Sequence, residues 1–273
     1  MGSILARKIV YNYSMTEDEL RLRLRELPLA GLRWYPSVDS TNSAALEWAA
    51  RGALDGSLVV ADQQSTGRGR LGRKWVTNPG AALAFSLILR PTSREREHMG
   101  LFSPLGAMGV TDALRGLGLT PQIKWPNDVL LQRLKVCGIL VETVWLGQEL
   151  DSLVMGIGVN VAPSSVPPSG ELLFPAVCVE TVLGKPVERT ALLGEILRSI
   201  FAWRVSLGLP EFLDAWQSNL AFTGERVSVL QGEEKPLDGV LLGIEAQGGL
   251  RIRSQDGDVI TVMVGDVSLR PHT

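Results

Sequence analysis

The sequence predicts an α+β fold, in which helices pack against a mixed β-sheet and a small antiparallel β-barrel follows. Three observations lead to this prediction. Helix-like and strand-like segments are mixed through most of the chain, and an unbroken apolar run at residues 81–89 indicates a strand buried on both faces. After Phe222 the sequence pattern changes to short strand-like runs that are separated by turn residues. We therefore expect an N-terminal helical extension over residues 1–30, a main domain over 31–221 and a β-barrel domain over 222–273.

The first part of the main domain is expected to contain strands around one helix. Before it, Thr16 and Glu19 have the spacing of a capping box ahead of leucines on one helix face, which predicts a short N-terminal helix. A strand is expected near LRWYPS, and STNS at residues 40–43 is suited to begin the helix that carries AALEWAA. Strands are also expected at 57–61 and at 81–89, and the second of these, bounded by NPG and RP, should be central.

The remaining elements are predicted from the same patterns. The expected helices cover residues 103–117, 174–183, 189–207 and 210–220, the expected strands cover 129–131, 136–145 and 153–161, and a loop rich in Pro and Ser covers 162–170. After Phe222 the runs RVSVL, DGVLLGI, GLRIRS and VITVMV are separated by turn sequences. A module of about fifty residues buries little apolar surface alone, so it should dock on the main domain or form a compact barrel.

Composition and charge are those of an ordinary globular protein. Hydrophobic residues make up 45% and charged residues 21% of the 273 residues. The formal net charge of -2 gives no overall field for a polyanion, so a nucleic-acid role would need a local patch such as Arg68 to Lys74. No signal peptide or membrane span is recognisable. Cys137 and Cys178 lie in apolar surroundings, so we expect buried free thiols and a cytoplasmic protein.

The segment QQSTGRGRLGRKW at residues 63–75 is the most informative part of the sequence. It follows a predicted strand and contains four cations and three glycines within eight residues. Glycines let the backbone turn and bring N–H groups close to an anion, and arginines supply forks of donors that match phosphate or carboxylate. Trp75 adds a flat surface suited to cover a base, although a core tryptophan is equally ordinary. The combination favours a phosphate site.

Two nucleotide-binding motifs resemble this segment but do not fit its context. Gly67, Gly69 and Gly72 satisfy GxGxxG, but a poor helix follows and no acidic residue stands about twenty positions further on, so a dinucleotide site is excluded. A P-loop is excluded because Arg73 replaces the required lysine and no Ser or Thr follows Lys74. A solvated basic loop or a nucleic-acid contact remains as the alternative.

A second polar group lies in KWPND at residues 124–128. Proline forces a turn that presents Asn127 and Asp128 outward, although a capped turn with a core tryptophan would have the same sequence. Lys135 then leads into the apolar strand VCGILVE. Because a lysine is costly to desolvate unless it meets an anion, Lys135 is a better functional candidate than an average surface lysine.

The following strands add glycines and one amide. Gly138 would let a ligand approach the backbone, and Asn160, in GIGVNV, has an amide suited to read a base edge. The two histidines, His98 and His272, have no nucleophile or ligand partner at a readable spacing. We expect them to be surface residues, and we expect neither triad hydrolysis nor zinc chemistry.

Together, five motifs resemble those of biotin protein ligases. They are STN at 40–42, QSTGRGRLGRKW at 64–75, KWPND at 124–128, KVCGILVE at 135–142 and GIGVNV at 156–161, in the family's order and spacing. The resemblance implies a class II synthetase-like catalytic domain of the biotin/lipoate ligase type and a C-terminal SH3-like β-barrel. Because only residues 1–30 precede the expected domain, the chain is similar to ligase-only members without the DNA-binding domain.

The resemblance implies an ATP-dependent ligase that forms biotinyl-5'-AMP and pyrophosphate and then transfers biotin to the acceptor lysine of a carrier protein. The implied cofactors are ATP, biotin as substrate and Mg²⁺. The implied partner is the biotin carboxyl carrier protein of acetyl-CoA carboxylase, with no nucleic acid and no membrane, and the chain is expected to be a monomer or a homodimer. A carboxylate is already ionised at neutral pH, so its activation needs cations instead of a general base.

Two alternatives to this function stay open. One is a lipoate or octanoate protein ligase, although that family has an RRxSGGG-type loop where this chain has GRGRLGRKW. The other is a nucleic-acid-binding module built on the basic loop and the terminal barrel, which would need a wider basic face.

The resemblance also implies roles for individual residues. The expected catalytic residues are Lys135, Arg68 and Asp128, and Asp128 would help to place Mg²⁺. The expected biotin-binding residues are Ser40, Thr41, Asn42, Gln64, Gly67, Arg68, Gly69, Arg70, Lys135 and Gly138. The expected ATP-binding residues are Arg68, Arg70, Arg73, Trp75, Asn127, Lys135 and Asn160. The glycine and arginine loop would close over biotin and the adenylate.

Overall fold

The computed structural model of the protein describes residues 15–75, 77–168, 174–231, 236–263 and 267–271. Residues 1–14 of the expected extension, the end of the Pro/Ser loop and His272 lie outside the described residues. Within the described parts, the chain forms one sheet of seven strands and one of five.

The seven-stranded sheet is mixed, as predicted. Its strands are β1 (Gly31–Tyr35), β2 (Ser57–Ala61), β3 (Ala82–Leu89), β4 (Gln122–Lys124), β5 (Asp128–Leu131), β6 (Leu134–Leu146) and β7 (Glu149–Asn160). Their order is β1-β2-β3-β7-β6-β5-β4, with β1 and β2 parallel and the other neighbours antiparallel. All residues of β3 are buried, and β3 lies inside the sheet between β2 and β7, as its apolar run predicted.

Helices cover both faces of this sheet. They are α1 (Glu17–Leu24), α2 (Thr41–Ala50), α3 (Ser93–Arg96), α4 (Phe102–Gly116), α5 (Val179–Leu183), α6 (Arg189–Val205) and α7 (Pro210–Ser218). α2 packs on β3 and β7 around a small alanine-rich cluster, whereas α4 packs on the other face, with α6 against α4 and α1 against α6. Ser40 caps α2, and Thr16 forms the predicted capping box with Glu19 in α1.

The prediction of a helix over residues 174–183 is wrong in its first half, since α5 begins only at Val179. Residues 175–177 instead run beside the start of β6. The Lys135 N–H donates to the Pro175 carbonyl at 2.8 Å, and the Val177 N–H donates to the Lys135 carbonyl at 2.9 Å. Pro175 disfavours a helical conformation in the residue before it, and pairing with β6 satisfies backbone groups that a helix would have used locally.

The five-stranded sheet is antiparallel and corresponds to the predicted C-terminal β module. Its strands are β8 (Arg226–Gln231), β9 (Leu237–Ile244), β10 (Leu250–Ser254), β11 (Val259–Val262) and β12 (Val267–Pro271), in the order β11-β10-β9-β8-β12. The boundary between residues 221 and 222 stays a prediction.

The C-terminal sheet docks on the main domain. The indole N–H of the buried Trp125 donates to the Gly248 carbonyl at 2.9 Å, and the Ile244 N–H donates to Gln217 Oε1 at 2.8 Å. Arg133 and Glu225 add a two-pronged ion pair at 2.8 Å on the surface. Apolar side chains of β8, β9 and β10 belong to the same core as α4 and the large sheet.

Both cysteines are buried free thiols, as predicted. Burial raises the pKa of the Cys137 thiol far above its usual range. In the described parts of the chain, no helix is both long and apolar enough to cross a membrane.

Candidate active site

A cavity of about 460 Å³ opens on the face of the large sheet that carries α2. It lies between the N-terminus of α2, the glycine and arginine segment, and strands β6 and β7. All but one of the sequence-predicted site residues line it: Ser40, Thr41, Asn42, Gln64, Arg68, Gly69, Arg70, Arg73, Trp75, Asn127, Asp128, Lys135, Gly138 and Asn160. The exception is Gly67, which is buried behind Gln64.

Residues 67–75 form a tight turn, which we call the arginine hairpin. Arg68 and Lys74 pair as an antiparallel bridge, and the Gly69 N–H donates to the Arg73 carbonyl at 2.7 Å. The Trp75 N–H closes the base of the hairpin by donating to the Gly67 carbonyl at 2.8 Å. At the tip, Gly72 has a φ of 70°, a conformation that other residues rarely adopt. The hairpin thus presents its cations to the cavity at the end of β2.

The Trp75 ring lies inside the cavity, against the backbone of the sheet. Gly138 of β6 and Gly158 of β7 are paired in register beneath it. A Cβ on Gly158 would overlap the indole ring, and one on Gly138 would lie 3.3 Å from Trp75 Cζ3. These two glycines therefore make the flat floor on which an aromatic ring can rest.

An uncharged polar wall, formed by Ser40, Thr41 and Gln64, closes one end of the cavity. The Gln64 Oε1 atom accepts a hydrogen bond from the Thr41 N–H at 2.8 Å and lies 3.1 Å from the Thr41 hydroxyl. This fixes the orientation of the Gln64 amide, and its Nε2 group makes no hydrogen bond within the described residues. The polar wall therefore has an N–H group free for a ligand.

Asn42 lines the cavity but is engaged by the protein itself. Its Nδ2 group donates to Glu142 Oε2 at 2.7 Å and to the Leu140 carbonyl at 3.3 Å. Its Oδ1 atom accepts from the buried Ser86 hydroxyl at 2.6 Å. Both Asn42 N–H groups are used in this way, so its amide orients neighbouring groups more than it offers donors to a ligand.

A lysine–aspartate cluster, formed by Lys124, Asp128 and Lys135, lies at the other end of the cavity. Lys135 Nζ is 2.6 Å from Asp128 Oδ1, and Lys124 Nζ is 3.4 Å from Asp128 Oδ2. Lys124 and Asp128 are cross-strand neighbours in β4 and β5. Burial alone would raise the pKa of Asp128, but the charges and hydrogen bonds of Lys135 and Lys124 outweigh it and hold the pKa below its usual value. Asp128 is therefore an anion that orders two cations.

The cluster does not fit the predicted role of Asp128 as a magnesium ligand. Both of its oxygens face ammonium groups, which compete with a cation for the same lone pairs. Among the described residues, no group of three or more His, Cys, Asp or Glu side chains is arranged to hold a metal ion. Mg²⁺ prefers several oxygen ligands in octahedral geometry, which this single paired carboxylate does not supply.

The arginines and asparagines of the cavity are held by specific partners. Arg68 forms an ion pair with Glu142 at 2.8 Å, and Arg70 donates to Asn127 Oδ1 at 3.4 Å. The Asn127 side chain donates to the Ile139 carbonyl at 2.8 Å, while Asn160 donates to the Val177 carbonyl at 3.3 Å. The arginine hairpin is thereby linked to β6 at two points.

Sequence reasoning missed three polar residues around the cavity: Lys124, Ser86 and Glu142. Lys124 and Glu142 stand inside quoted motifs, KWPND and KVCGILVE, so motif membership was a usable signal. Ser86 lies within an otherwise apolar strand, where a single buried hydroxyl implies a hydrogen-bond partner. None of these signals identifies the partner, because the contacts join distant parts of the chain.

Two parts of this chain match known protein families. Residues 34–160 match the Biotin/lipoate A/B protein ligase family, and residues 222–270 match the Biotin protein ligase C terminal domain. The biotin–acetyl-CoA-carboxylase ligase of Paracoccus denitrificans is 36% identical over 231 residues, which cover 81% of this chain and 93% of that protein. The bifunctional ligase/repressor BirA of Escherichia coli (strain K12) is 32% identical over 242 residues, which cover 86% of this chain and 73% of that protein.

The fold is similar to solved structures as well. The structure of the biotin protein ligase from Aquifex aeolicus in complex with biotin and ATP superimposes with a TM-score of 0.76 at 33% identity. The match covers 89% of this chain and 100% of that one.

Proposed function

Since this chain belongs to the biotin protein ligase family, we propose that its cavity binds biotin and ATP together and joins them. In the first step, an oxygen of the biotin carboxylate attacks the α-phosphorus of ATP, the bond from phosphorus to the bridging oxygen breaks, and pyrophosphate leaves. In the second step, the amine of an acceptor lysine on a carrier protein attacks the acyl carbon of biotinyl-5'-AMP. AMP leaves, an amide forms, and the amine proton passes to solvent.

The observation that supports this proposal is the chemical division of one cavity. The uncharged polar wall lies toward one end, where Glu142 joins Asn42 to Arg68, and the lysine–aspartate cluster lies seven residues away along β6, next to the Arg70–Asn127 contact. A molecule with a neutral polar ring and a carboxylate tail matches the first end, and a polyphosphate matches the second. A carboxylate approaches a polyphosphate only where positive charge offsets their repulsion.

At the biotin end, we assign ring contacts to Ser40, Thr41 and Gln64. The free Gln64 Nε2 group can donate to a ring carbonyl. Asn42 keeps its predicted place beside the ring, but as a residue that orients its neighbours. Gly69 and Gly138 would give the ligand close access to the backbone, whereas Gly67 lies behind Gln64 and does not line the cavity.

At the nucleotide end, we assign the phosphates to Arg68, Arg70, Arg73 and Lys135. Lys135 is the residue best suited to stabilise the charge that develops on the α-phosphate. Its ammonium group is already ordered by Asp128, so little reorganisation is needed when the charge forms. Lys124, which pairs with the other oxygen of Asp128, belongs to the same electrostatic unit.

The base is assigned to the area around Trp75, Asn127 and Asn160. The indole ring already rests on the flat glycine floor and can cover an adenine when the arginine hairpin closes. Closure would also keep the reactive adenylate from water.

We propose that Mg²⁺ enters with the phosphates of ATP instead of being held by Asp128. The described residues supply no cluster of carboxylates for a resident metal, so the nucleotide would provide most of its ligands. The reaction is expected to take place in the cytoplasm, where free thiols such as Cys137 and Cys178 persist.

The carrier we propose is the biotin carboxyl carrier protein of acetyl-CoA carboxylase, because the name of the Paracoccus relative gives acetyl-CoA carboxylase as the enzyme it acts on. The lipoate or octanoate alternative has less support, because residues 222–270 match a domain named for biotin protein ligases. A nucleic-acid role has less support because the cations at residues 68–74 line the cavity.

The proposal is tested by measuring pyrophosphate release from ATP and Mg²⁺ with biotin, and separately with lipoate or octanoate. Mass spectrometry of an added apo carrier domain then shows which acyl group is transferred. Biotin-dependent release with one biotin mass gain is expected. Release with lipoate alone would move the protein to the lipoate ligases, and no release with any acid would contradict the proposed reaction.

A further inference from the structure

A chain of hydrogen bonds joins the polar wall of the cavity to the arginine hairpin. It begins and ends only four positions apart in the sequence but passes through α2, β3 and β6. Its members, in order, are Gln64, Thr41, Ser86, Asn42, Glu142 and Arg68. Ser86 and Glu142 have no role in the function proposed above. The chain shows how the two ends of one loop are connected through the sheet.

Glu142 fixes the direction of these hydrogen bonds. Its Oε2 atom accepts from Asn42 Nδ2 at 2.7 Å and from Arg68 at 2.8 Å. The Asn42 amide is therefore oriented with its Oδ1 atom toward Ser86, and Ser86 must donate its single proton to that oxygen. The Thr41 hydroxyl completes the chain by donating to Ser86 Oγ, 2.9 Å away, and Gln64 Oε1 stays joined to Thr41 through the Thr41 N–H at 2.8 Å.

Because these groups are buried, the loss of one of these hydrogen bonds would cost free energy. Ser86 is completely buried, and Asn42 is 4% exposed. An Asn42 N–H group left without its acceptor at this depth would carry a desolvation penalty. The Glu142 side chain is 26% exposed and that of Arg68 is 41% exposed, so their ion pair is partly shielded from solvent.

We propose that Glu142 is a positioning residue that ties the arginine hairpin to the biotin-facing wall. One carboxylate oxygen holds Arg68 over the cavity and, through Asn42 and Ser86, sets the hydroxyl of Thr41 beside Gln64. This inference rests on the proposed function, because it assigns the wall to biotin and Arg68 to the closing loop. Glu142 contacts neither reacting group. It therefore affects the binding of biotin and the retention of biotinyl-5'-AMP only through Asn42 and Arg68.

The experiment compares Glu142→Leu, which removes the acceptor, with Glu142→Gln, which keeps an acceptor oxygen but removes the charge. Glu149→Gln is the matched control, since Glu149 is an exposed glutamate at the start of the neighbouring strand β7. The KM values for biotin and ATP are measured by pyrophosphate release, and the lifetime of bound biotinyl-5'-AMP is measured after rapid gel filtration. Thermal unfolding is recorded for every variant.

We expect Glu142→Leu to raise the KM for biotin by about tenfold and to shorten adenylate retention, as for the loss of one charge-assisted hydrogen bond. Glu142→Gln should recover most of this loss, and the KM for ATP should change by less than about threefold in both. Glu149→Gln should behave as the wild type. A merely structural role for Glu142 would lower thermal stability without separating the two KM values.

Ser86→Ala provides an independent test, because it breaks the chain without touching Arg68. It should raise the KM for biotin, and its effect combined with Glu142→Leu should be less than additive. This variant also keeps the inference testable if Glu142→Leu does not fold. Wild-type KM and retention in Glu142→Gln and Ser86→Ala would overturn the positioning role, whereas an inactive wild type would overturn the proposed function itself.

Discussion

Asp128 holds its charge inside the cavity because two lysines surround it. Burial would raise the pKa of this carboxyl, yet Lys135 and Lys124 together lower it. In this group of three, the attraction between opposite charges offsets part of the desolvation cost of each buried charge. We therefore infer that Asp128 orders the two lysines, and we expect its removal to lower the stability of the fold.

Asp128→Asn is expected to lower the free energy of unfolding by about 3 kcal/mol, since it removes the carboxylate that lies 2.6 Å from Lys135 Nζ and 3.4 Å from the buried Lys124 Nζ. The effect depends on pH. The folded pKa lies below the usual 3.8, so the carboxylate stabilises the fold above pH 3.8 and loses this effect as the pH falls through the folded value. Urea unfolding at several pH values measures the difference. A difference that does not shrink in acid would contradict this account.

Lys135→Ala should reduce the rate of adenylate formation by roughly 100-fold to 1000-fold, the scale of one preorganised electrostatic contact. Lys185→Ala is the control, because Lys185 is exposed and distant in sequence from the cavity motifs. Pyrophosphate release under single-turnover conditions reports the chemical step. A near-normal rate in Lys135→Ala would show that another cation carries the developing charge.

A functional residue was predictable where its neighbours in the sequence explained why it is there. Lys135 stood out because a lysine beside a buried strand needs an anion, and the structure supplies Asp128. Glu142 did not stand out, because its partners Asn42 and Arg68 lie 100 and 74 positions away along the chain. The second lysine beside Asp128, Lys124, was not predicted as its partner, because the pairing of β4 with β5 brings the two side chains together.

At the scale of elements, α4 and α6 meet closely through a glycine. A Cβ on Gly109 would overlap Ile200 Cγ1 and lie 3.0 Å from the Ile196 carbonyl. Gly116, at the end of α4, has no neighbouring atom within 4 Å of such a Cβ. The same substitution therefore has opposite consequences in the middle and at the C-terminal end of one helix.

Gly109→Ala is expected to lower the free energy of unfolding by about 2 kcal/mol, because overpacking outweighs the better helix propensity of alanine. Gly116→Ala should raise it by about 0.5 kcal/mol through propensity alone. Guanidinium unfolding of both variants gives the comparison. Stabilisation by Gly109→Ala would mean that α6 moves away from α4 at little cost.

Elements were predictable when their periodicity was uninterrupted. β2 and β3 begin and end within a residue of the expected limits, since both are apolar runs bounded by turn sequences. Residues 174–178 were misassigned because their apolar pattern suits a helix as well as a strand. Their conformation is decided by backbone pairing with Lys135, a contact between distant segments that periodicity cannot reveal.

At the scale of the whole molecule, one tryptophan joins the two sheets. Trp125 belongs to the KWPND turn, and its indole N–H donates to the Gly248 carbonyl in the turn between β9 and β10. The turn that carries Asn127 and Asp128 therefore contacts the β module directly through Trp125.

Trp125→Phe should lower the free energy of unfolding by about 1–2 kcal/mol, because it leaves the Gly248 carbonyl without its donor. Trp145→Phe is the control, since Trp145 is 57% exposed. Circular dichroism during denaturation measures both. Equal stability of the two variants would show that the Trp125 hydrogen bond contributes little to docking.

The change of sequence pattern after Phe222 predicted a separate β module, because short alternating runs and turns are local features. The position of that module on the main domain was not predictable. It depends on single contacts, such as those of Trp125 with Gly248 and of Gln217 with Ile244, and no repeat or motif in the sequence predicts them.

The burial of Cys137 and Cys178 has a practical consequence for labelling. A maleimide dye reacts with thiolates at the surface, and neither native thiol is accessible in the folded protein. Ser65 is exposed and lies two positions before the arginine hairpin. Ser65→Cys would therefore supply a single attachment point for a fluorophore, and the opening and closing of the hairpin could be timed in the otherwise native sequence.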